Sequence, residues 1–211
     1  MIATPVATAL DSTGLESRHV SRHYARRCRF DDPSTHACWP KLTLVVDLQA
    51  QWIVAATTGQ GPANDVTDFV PVLRQAVSRV AVQSVLADAG YDSENNHRVA
   101  RQELGVRRTA IRLNRRSSKG PPQGRYRAQM FWNFPRRKYA QRSQVESAIS
   151  RFKRCLGSAL SAKKPATQAT EMLWKVLTYN LMLLRRRIWF QQSQTVSKPW
   201  FGHAGKRDAE E

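Results

Sequence analysis

The chain has 211 residues, which is long enough for one domain with a sizeable hydrophobic core and a tail. Its formal net charge of +18 exceeds what solubility requires and indicates a polyanionic partner such as nucleic acid. The sequence has no run of about 18 uncharged apolar residues and no signal peptide before its three cysteines, which argues against a membrane span and for the reducing cytoplasm.

The first part of the chain contains apolar runs separated by turn residues. Residues 6–10 predict a strand that leads into a turn at 11–14, and a polar, basic stretch occupies 16–40. Residues 41–48 (KLTLVVDL) and 51–57 (QWIVAAT) are two apolar or β-branched runs joined by a short link. This pattern is typical of a β-hairpin.

Helices and strands then alternate along the chain. After the turn GQGPAND, the apolar positions predict a helix over 67–80 and a continuous apolar strand over 82–87. A helix over 94–104 and a strand over 106–113 follow. Because helices and strands alternate after an initial hairpin, the sequence predicts an α/β fold with a mixed β-sheet flanked by helices.

The last third of the chain is predicted to be helical. A basic linker rich in Gly and Pro leads to a helix that contains YAQRSQVESAISRFK. A long final helix is predicted over 167–189, with the apolar run 181–184 on its buried face. From residue 191 the sequence lacks periodicity, so we predict one domain over 1–190 and a disordered tail over 191–211.

The helix with YAQRSQVESAISRFK carries one acid in a strongly basic region. Residues 112–154 contain thirteen Lys or Arg and a single acid, Glu146. At about 100° per residue, Glu146 shares one helix face with Tyr139, Arg142 and Lys153, beside an apolar stripe that can be buried. One explanation is an ordinary surface ion pair between Glu146 and Arg142, which contributes only about 0.2–0.5 kcal/mol. The other is a chemical role for the carboxylate, with the cations binding phosphates beside it.

Two further acids, Asp11 and Asp88, each follow an apolar strand and precede a turn of small residues. If the two strands are neighbours, both carboxylates lie at one edge of the sheet, where Glu146 can approach them from its helix. Three carboxylates around one point repel one another unless a cation is present, and oxygen ligands suit Mg²⁺ or Mn²⁺. Two such ions support in-line phosphoryl transfer on DNA. Asp47 is the alternative to Asp11, and Asp92 is the alternative to Asp88, although Asp92 is also well placed to cap the next helix.

The basic helix has a residue spacing that resembles the signature of bacterial insertion-sequence transposases of the insertion-sequence-four type. The four positions, separated by two, three and six residues, are Tyr139, Arg142, Glu146 and Lys153. The segments DSTG at Asp11 and DAGY at Asp88 are similar to that family's first and second aspartate motifs. The resemblance extends over residues 6–184.

The resemblance implies an RNase H-like fold and a catalytic triad that holds two Mg²⁺ or Mn²⁺ ions. The triad would be Asp11, Asp88 and Glu146, and the DNA-binding residues would be Tyr139, Arg142 and Lys153. The implied activity is cleavage of double-stranded DNA at insertion-sequence ends and strand transfer into a target, by a homodimer assembled on DNA in the bacterial nucleoid.

Family members usually carry an N-terminal region that recognises the terminal repeats. The first aspartate of this chain is residue 11, so we expect it to be a catalytic domain without that region. The alternative functions are an inactive or domesticated DNA-binding remnant and, from another class, a basic RNA-binding protein.

Other residues with chemically active side chains have plainer interpretations. Five potential zinc ligands have a spacing that fits no compact finger and favours a surface or DNA-facing loop. They are His19, His23, Cys28, His36 and Cys38. His97 is predicted to be structural, at an exposed helix start. Phe131 and Trp132 are predicted to pack over the linker or to stack on unpaired bases, and the arginines at 185–187 suit either a helix C-terminus or a DNA contact.

Overall fold

The structure, a computed structural model, describes residues 5–17, 39–115 and 120–196. Its strands are β1 (Val6–Gly14), β2 (Glu16–Ser17), β3 (Trp39–Asp47), β4 (Ile53–Gly61), β5 (Val82–Ala87), β6 (Arg108–Ile111) and β7 (Ala159–Leu160). Its α-helices are α1 (Phe69–Arg79), α2 (Glu94–Arg98), α3 (Arg125–Trp132), α4 (Arg136–Tyr139), α5 (Ser143–Leu156) and α6 (Pro165–Val196).

The main sheet has five strands in the order β4-β3-β1-β5-β6. The β4, β3 and β1 strands pair antiparallel, whereas β1, β5 and β6 pair parallel. A second, two-stranded parallel sheet joins β2 to β7. The five-stranded sheet confirms the predicted α/β class with a mixed sheet flanked by helices, in an RNase H-like arrangement.

Each face of the sheet is covered by helices over its own hydrophobic core. On one face, Val145 and Phe152 of α5 pack with Tyr179 of α6 against β1, β3 and β4. On the other face, Phe69 and Leu73 of α1 pack against alternate residues of the same strands. Because the sheet is covered on both sides, β3 is buried at eight of its nine positions, which explains its nearly continuous apolar sequence.

The first strand is longer than its sequence predicts. It was expected to end at residue 10, but it continues to Gly14 because β3 pairs with it as far as Gly14 opposite Lys41. Its parallel pairing with β5 ends earlier, at Leu10 opposite Ala87. Asp11 therefore lies within β1, at the point where one of its two neighbouring strands has ended.

The basic linker and the helix after β5 also differ from the prediction. Residues 120–138 contain α3 and most of α4, where only an irregular linker was expected. The helix predicted to carry Tyr139 and Arg142 together with Glu146 begins only at Ser143, because Tyr139 ends α4 and residues 140–142 form a 3₁₀ turn. The predicted helix over 94–104 begins as α2 and continues as a π-helical segment, Val99–Glu103. The strand predicted over 106–113 is shorter and corresponds to β6.

The final helix is longer than predicted and has two apolar faces. It ends at Val196, six residues into the segment predicted as a tail, and the rest of that tail lies outside the described residues. The run 181–184 was expected to be buried, yet only Leu183 packs on the core, whereas Leu181 is 54% exposed. The exposed stripe is Trp174, Leu177, Leu181, Leu184 and Ile188. None of the helices described is both long and apolar enough to cross a membrane.

Candidate active site

The pairing of β1 with β5 brings the first two predicted carboxylates together. Leu10 is in register with Ala87, so Asp11 and Asp88 are the next residues of two adjacent parallel strands. Asp88 begins the 3₁₀ turn Ala89–Tyr91, and its Oδ1 accepts a hydrogen bond from the Gly90 amide at 2.9 Å. The two carboxylates are therefore held at one edge of the sheet, as expected for neighbouring strand ends.

Burial dominates the electrostatics of Asp11. Removal from water raises its pKa above the ordinary value, and the nearby charge of Asp88 raises it further. The Arg142 guanidinium and the Ser12 amide, which donates to Asp11 Oδ1 at 2.9 Å, act in the opposite direction. The net effect is a raised pKa, so any cation that approaches Asp11 stabilises its ionised carboxylate.

The helix α5 brings the third predicted carboxylate within reach of the same arginine that bonds to Asp11. Its buried residues Val145, Ala148 and Phe152 fix the helix against the sheet, and Glu146 lies on the adjacent, solvent-facing side. Arg142 donates through Nη1 to Asp11 Oδ2 at 3.2 Å and through Nη2 to Glu146 Oε1 at 2.5 Å. The surface ion pair considered for Glu146 is thus present, and the same guanidinium also links the helix to Asp11.

The other two residues of the basic face lie on either side of this bridge. Tyr139 ends α4, and its pKa is raised by burial, with the charges of Arg142 and Asp88 close enough to contribute. Lys153 lies two turns beyond Glu146 on α5, and its ammonium donates to the Gly14 carbonyl at 2.9 Å. Tyr139 therefore lies near the Asp88 carboxylate, and Lys153 lies beside the end of β1.

The alternative aspartates have structural roles. Asp47 is nearly buried at the far end of β3, opposite Thr8, and its Oδ1 accepts from the Gln49 and Ala50 amides at 2.8 and 3.2 Å. It closes the turn between β3 and β4. The structure brings Asp11, and not Asp47, together with Arg142 and Glu146.

The helix-capping role predicted for Asp92 is wrong. The N-cap of α2 is Ser93, and the fully buried Asp92 carboxylate instead accepts from Arg127 Nε and Nη2 at 3.0 and 2.8 Å. A long-range ion pair with a residue of α3 has replaced the local capping bond. Asp92 also accepts from the Asn114 amide at 2.9 Å, so it ties the basic segment to the turn after β5.

His97 was expected at an exposed position, and the structure corrects this. The imidazole is fully buried, with Nδ1 2.6 Å from Thr109 Oγ1, and it stacks on Tyr126. Burial lowers its pKa to about 4. Its role is structural, as predicted, although its location is not. The five potential zinc ligands in 19–38 lie outside the described residues.

A basic, aromatic cleft of about 770 Å³ has Tyr139 in its lining. Its charged and aromatic lining residues are Arg112, Arg115, Arg136, Phe131, Phe134 and Tyr139. The Arg115 guanidinium lies 5.0 Å from the Phe131 ring centre, and Phe134 packs on Tyr139 with 4.8 Å between ring centres. The cleft thus combines cations for phosphates with aromatic faces, and the neighbouring Trp132 is largely exposed.

Sequence reasoning missed a second group of charges behind Asp11. Lys41 of β3 bonds to Asp65 and Asp68, and Ser12 donates to Asp65. The segment 59–65 was interpreted only as a turn. One signal was available, because a lysine at the start of the buried run KLTLVVDL needs an anionic partner if it is buried with its neighbours.

The donor set suits a hard divalent cation, because all three predicted ligands are carboxylates. Within 5–17, 39–115 and 120–196, no group of three or more His, Cys, Asp or Glu side chains is placed to hold a metal ion. The position between Asp11 and Glu146 is taken instead by the Arg142 guanidinium. Asp11 and Glu146 thus share one cation, and their oxygen ligands fit a divalent ion in chemistry and charge.

Residues 3–181 match the sequence profile of one protein family, described as Transposase DDE domain. The match covers well over half of the chain and includes Asp11, Asp88, Glu146 and the whole spacing from Tyr139 to Lys153. A comparison with curated proteins finds no match for this chain.

Proposed function

Because the chain belongs to the Transposase DDE domain family, we propose that it cleaves DNA strands at insertion-sequence ends and transfers them to a target, with Asp11, Asp88 and Glu146 as its metal-binding carboxylates. The observation that supports this assignment most strongly is the Arg142 bridge, because it joins carboxylates from β1 and α5 that are far apart in sequence. The finer assignment to the insertion-sequence-four type rests on the Tyr139 to Lys153 spacing.

The three carboxylates would hold one or two divalent ions at the edge of the sheet. When bound, Mg²⁺ or Mn²⁺ would activate the attacking water or 3′ hydroxyl and stabilise the leaving oxygen. Asp11 and Asp88 come from adjacent strands and are fixed by the Ser12 and Gly90 amides, so their positions are set before DNA arrives. Glu146 is 56% exposed in its side chain and is the carboxylate with most freedom to move.

The basic side chains would bind and orient the substrate strand. Arg142 lies at the Asp11 and Glu146 carboxylates. Once a metal ion replaces the guanidinium as their counter-charge, Arg142 would contact the phosphate that reacts. Tyr139 borders both the carboxylates and the basic, aromatic cleft, so the strand would continue from one into the other. Lys153 would contact a flanking phosphate from its position beside Gly14. We further propose that the protein assembles as a homodimer on DNA.

The test is DNA nicking by the purified chain on a duplex that carries the inverted repeats flanking its gene. With Mg²⁺ or Mn²⁺ we expect nicks at the repeat ends, and we expect Glu146→Gln to lose about a thousandfold or more of this activity. Asp47→Asn is the matched control, because Asp47 is a strand-end aspartate remote from Arg142. Its nicking should match that of the wild type at equal folded fraction.

Other outcomes would support the alternative functions. Tight DNA binding without metal-dependent nicking would indicate a DNA-binding remnant. Preferential binding of RNA with no effect of Glu146→Gln would indicate a basic RNA-binding protein. Nicking that survives Glu146→Gln would contradict the proposed carboxylate assignment.

A further inference from the structure

Lys41 is a buried cation whose hydrogen-bonding capacity is fully used. Its ammonium lies 2.7 Å from Asp65 Oδ1, 2.8 Å from Asp68 Oδ2 and 3.1 Å from the Ala63 carbonyl, so each of its three N–H groups has an acceptor. Burial alone would lower the pKa of Lys41, but the bonds to Asp65 and Asp68 raise it above its usual value. Lys41 therefore stays charged and fixes both aspartates beside β3.

Asp65 also contacts the segments that carry the two strand-edge carboxylates. Its Oδ1 accepts from Ser12 Oγ at 2.6 Å, and Ser12 is the residue whose amide bonds to Asp11. On the other side, Asp65 Oδ2 and Asp88 Oδ1 each lie 3.1 Å from the point where a Cβ on Gly90 would be. The two oxygens are therefore no more than twice that distance apart.

Asp68 offers a direct comparison within the same group of charges. It shares the Lys41 ammonium, and its side chain is 30% exposed against 32% for Asp65. Its other side-chain bond is with Thr43 of β3, at 3.1 Å. Asp68 thus has the same cation as Asp65 and nearly the same exposure, but it bonds to the sheet through Thr43, whereas Asp65 bonds to Ser12.

We propose that Asp65, anchored by Lys41, is a positioning residue that sets the spacing between the Asp11 and Asp88 carboxylates. The effect of Asp65 on catalysis rests on the proposed function, but its effect on the spacing of the two carboxylates does not. Ser12 connects Asp65 to Asp11, and Gly90 leaves room for Asp65 and Asp88 to approach each other. The Lys41 charge offsets the repulsion that a third aspartate brings to this edge of the sheet.

The experiment compares Asp65→Asn, Ser12→Ala and the matched control Asp68→Asn in the full chain. Mn²⁺ binding is measured by electron paramagnetic resonance, and DNA nicking gives kcat and KM. Thermal melting gives the melting temperature and shows whether each variant is folded. Asp65→Asn and Ser12→Ala should weaken Mn²⁺ binding and lower kcat by about 10- to 100-fold, with KM for DNA unchanged. Asp68→Asn should lower the melting temperature about as much as Asp65→Asn does, with Mn²⁺ binding and kcat close to wild type.

Amide hydrogen exchange in the metal-free chain separates this inference from the proposed function. The Ser12 and Gly90 amides, which bond to the two carboxylates, should exchange faster in Asp65→Asn than in Asp68→Asn. If the wild-type chain neither binds Mn²⁺ nor nicks DNA, the proposed function is contradicted. The difference in amide exchange would still support the positioning role of Asp65. Equal exchange, or equal effects of Asp65→Asn and Asp68→Asn on Mn²⁺ binding, would overturn the inference.

Discussion

Two arginines of this molecule form ion pairs with very different surroundings. Arg127 makes a two-pronged bond to the fully buried Asp92, and the start of its helix is held by Glu94, which accepts from the Tyr126 and Arg127 amides at 3.0 and 2.9 Å. Arg142 bridges Asp11 and Glu146, of which the second is largely exposed. The Arg127 pair is closed, because its carboxylate is shielded from solvent. The Arg142 pair is open to solvent at Glu146, so its carboxylates can exchange this cation for another.

The difference shows how to separate a structural ion pair from a functional one. A closed pair is costly to break, because one charge remains buried without a partner. An open pair between carboxylates from separate elements is weakly stabilising, and its components can be given to a metal ion or a phosphate. We therefore expect effects on stability at Arg127 and effects on chemistry at Arg142.

The largest change in stability is expected from Arg127→Ala. It leaves the Asp92 carboxylate buried without its cation, which should cost about 3–5 kcal/mol of the free energy of unfolding. Urea denaturation followed by circular dichroism measures this. Arg125→Ala is the control, because Arg125 is also on α3 and, among the described residues, its side chain makes a ring contact with Tyr126 at 5.6 Å and no ion pair. Equal losses in the two variants would contradict the closed pair.

The next effect concerns pH and the histidine packed beside α3. His97 is neutral when folded, with a pKa of about 4, but titrates near 6.5 when unfolded. Below pH 6.5 the unfolded chain binds the extra proton, so stability should fall by roughly 3 kcal/mol as pH drops from 6.5 to 4. Denaturation at several pH values tests this, and His97→Gln should flatten the dependence. An unchanged slope in His97→Gln would exclude His97 as the cause.

A smaller effect is expected from Gly90→Ala, next to the open pair. The added Cβ would lie 3.1 Å from Asp65 Oδ2 and from Asp88 Oδ1, so the carboxylates must shift, at a cost of about 1–2 kcal/mol. Gly59→Ala is the matched control, because a Cβ there meets no atom of the described residues within 4 Å. If Gly90→Ala nicks DNA as well as Gly59→Ala does, the close approach of these carboxylates is not needed for activity.

The smallest change in stability is expected from Arg142→Ala, at about 1 kcal/mol, because Glu146 is well hydrated and the more buried Asp11 keeps its bond from the Ser12 amide. Without the guanidinium, the Asp11 and Glu146 carboxylates lose their counter-charge, so Mn²⁺ should raise the melting temperature of this variant more than that of wild type. DNA nicking should nevertheless fall by at least about tenfold, since a phosphate contact is lost. A loss of stability like that of Arg127→Ala would remove the distinction between the two arginines.

The sheet and the site face were predictable because both depend on local periodicity. The strands around Asp11 and Asp88 are apolar runs, and the spacing from Tyr139 to Lys153 predicts one helical face, although the helix that carries Glu146 and Lys153 begins only at Ser143. The mixed sheet followed from the order of these elements. None of this required knowledge of a distant contact.

What the sequence did not reveal depends on partners far away along the chain. The extension of β1 arises from its pairing with β3, and the bond between Asp92 and Arg127 joins residues 35 positions apart. Local capping chemistry favoured a different role for Asp92, but the guanidinium of Arg127 was the stronger partner. Lys41 and Asp65 were missed for the same reason, since only the fold shows that Lys41 is buried.

The register of β1 with β5 limits how the length of these strands can change. Leu10 lies opposite Ala87, so the next residue of each strand is an aspartate. Because successive side chains of a strand point to opposite faces, one inserted or deleted residue in either strand would turn its aspartate away from the other. Apolar substitutions that preserve the strand should be far better tolerated than such length changes. Insertions and deletions in these strands, more than point substitutions, are therefore the changes expected to separate Asp11 from Asp88.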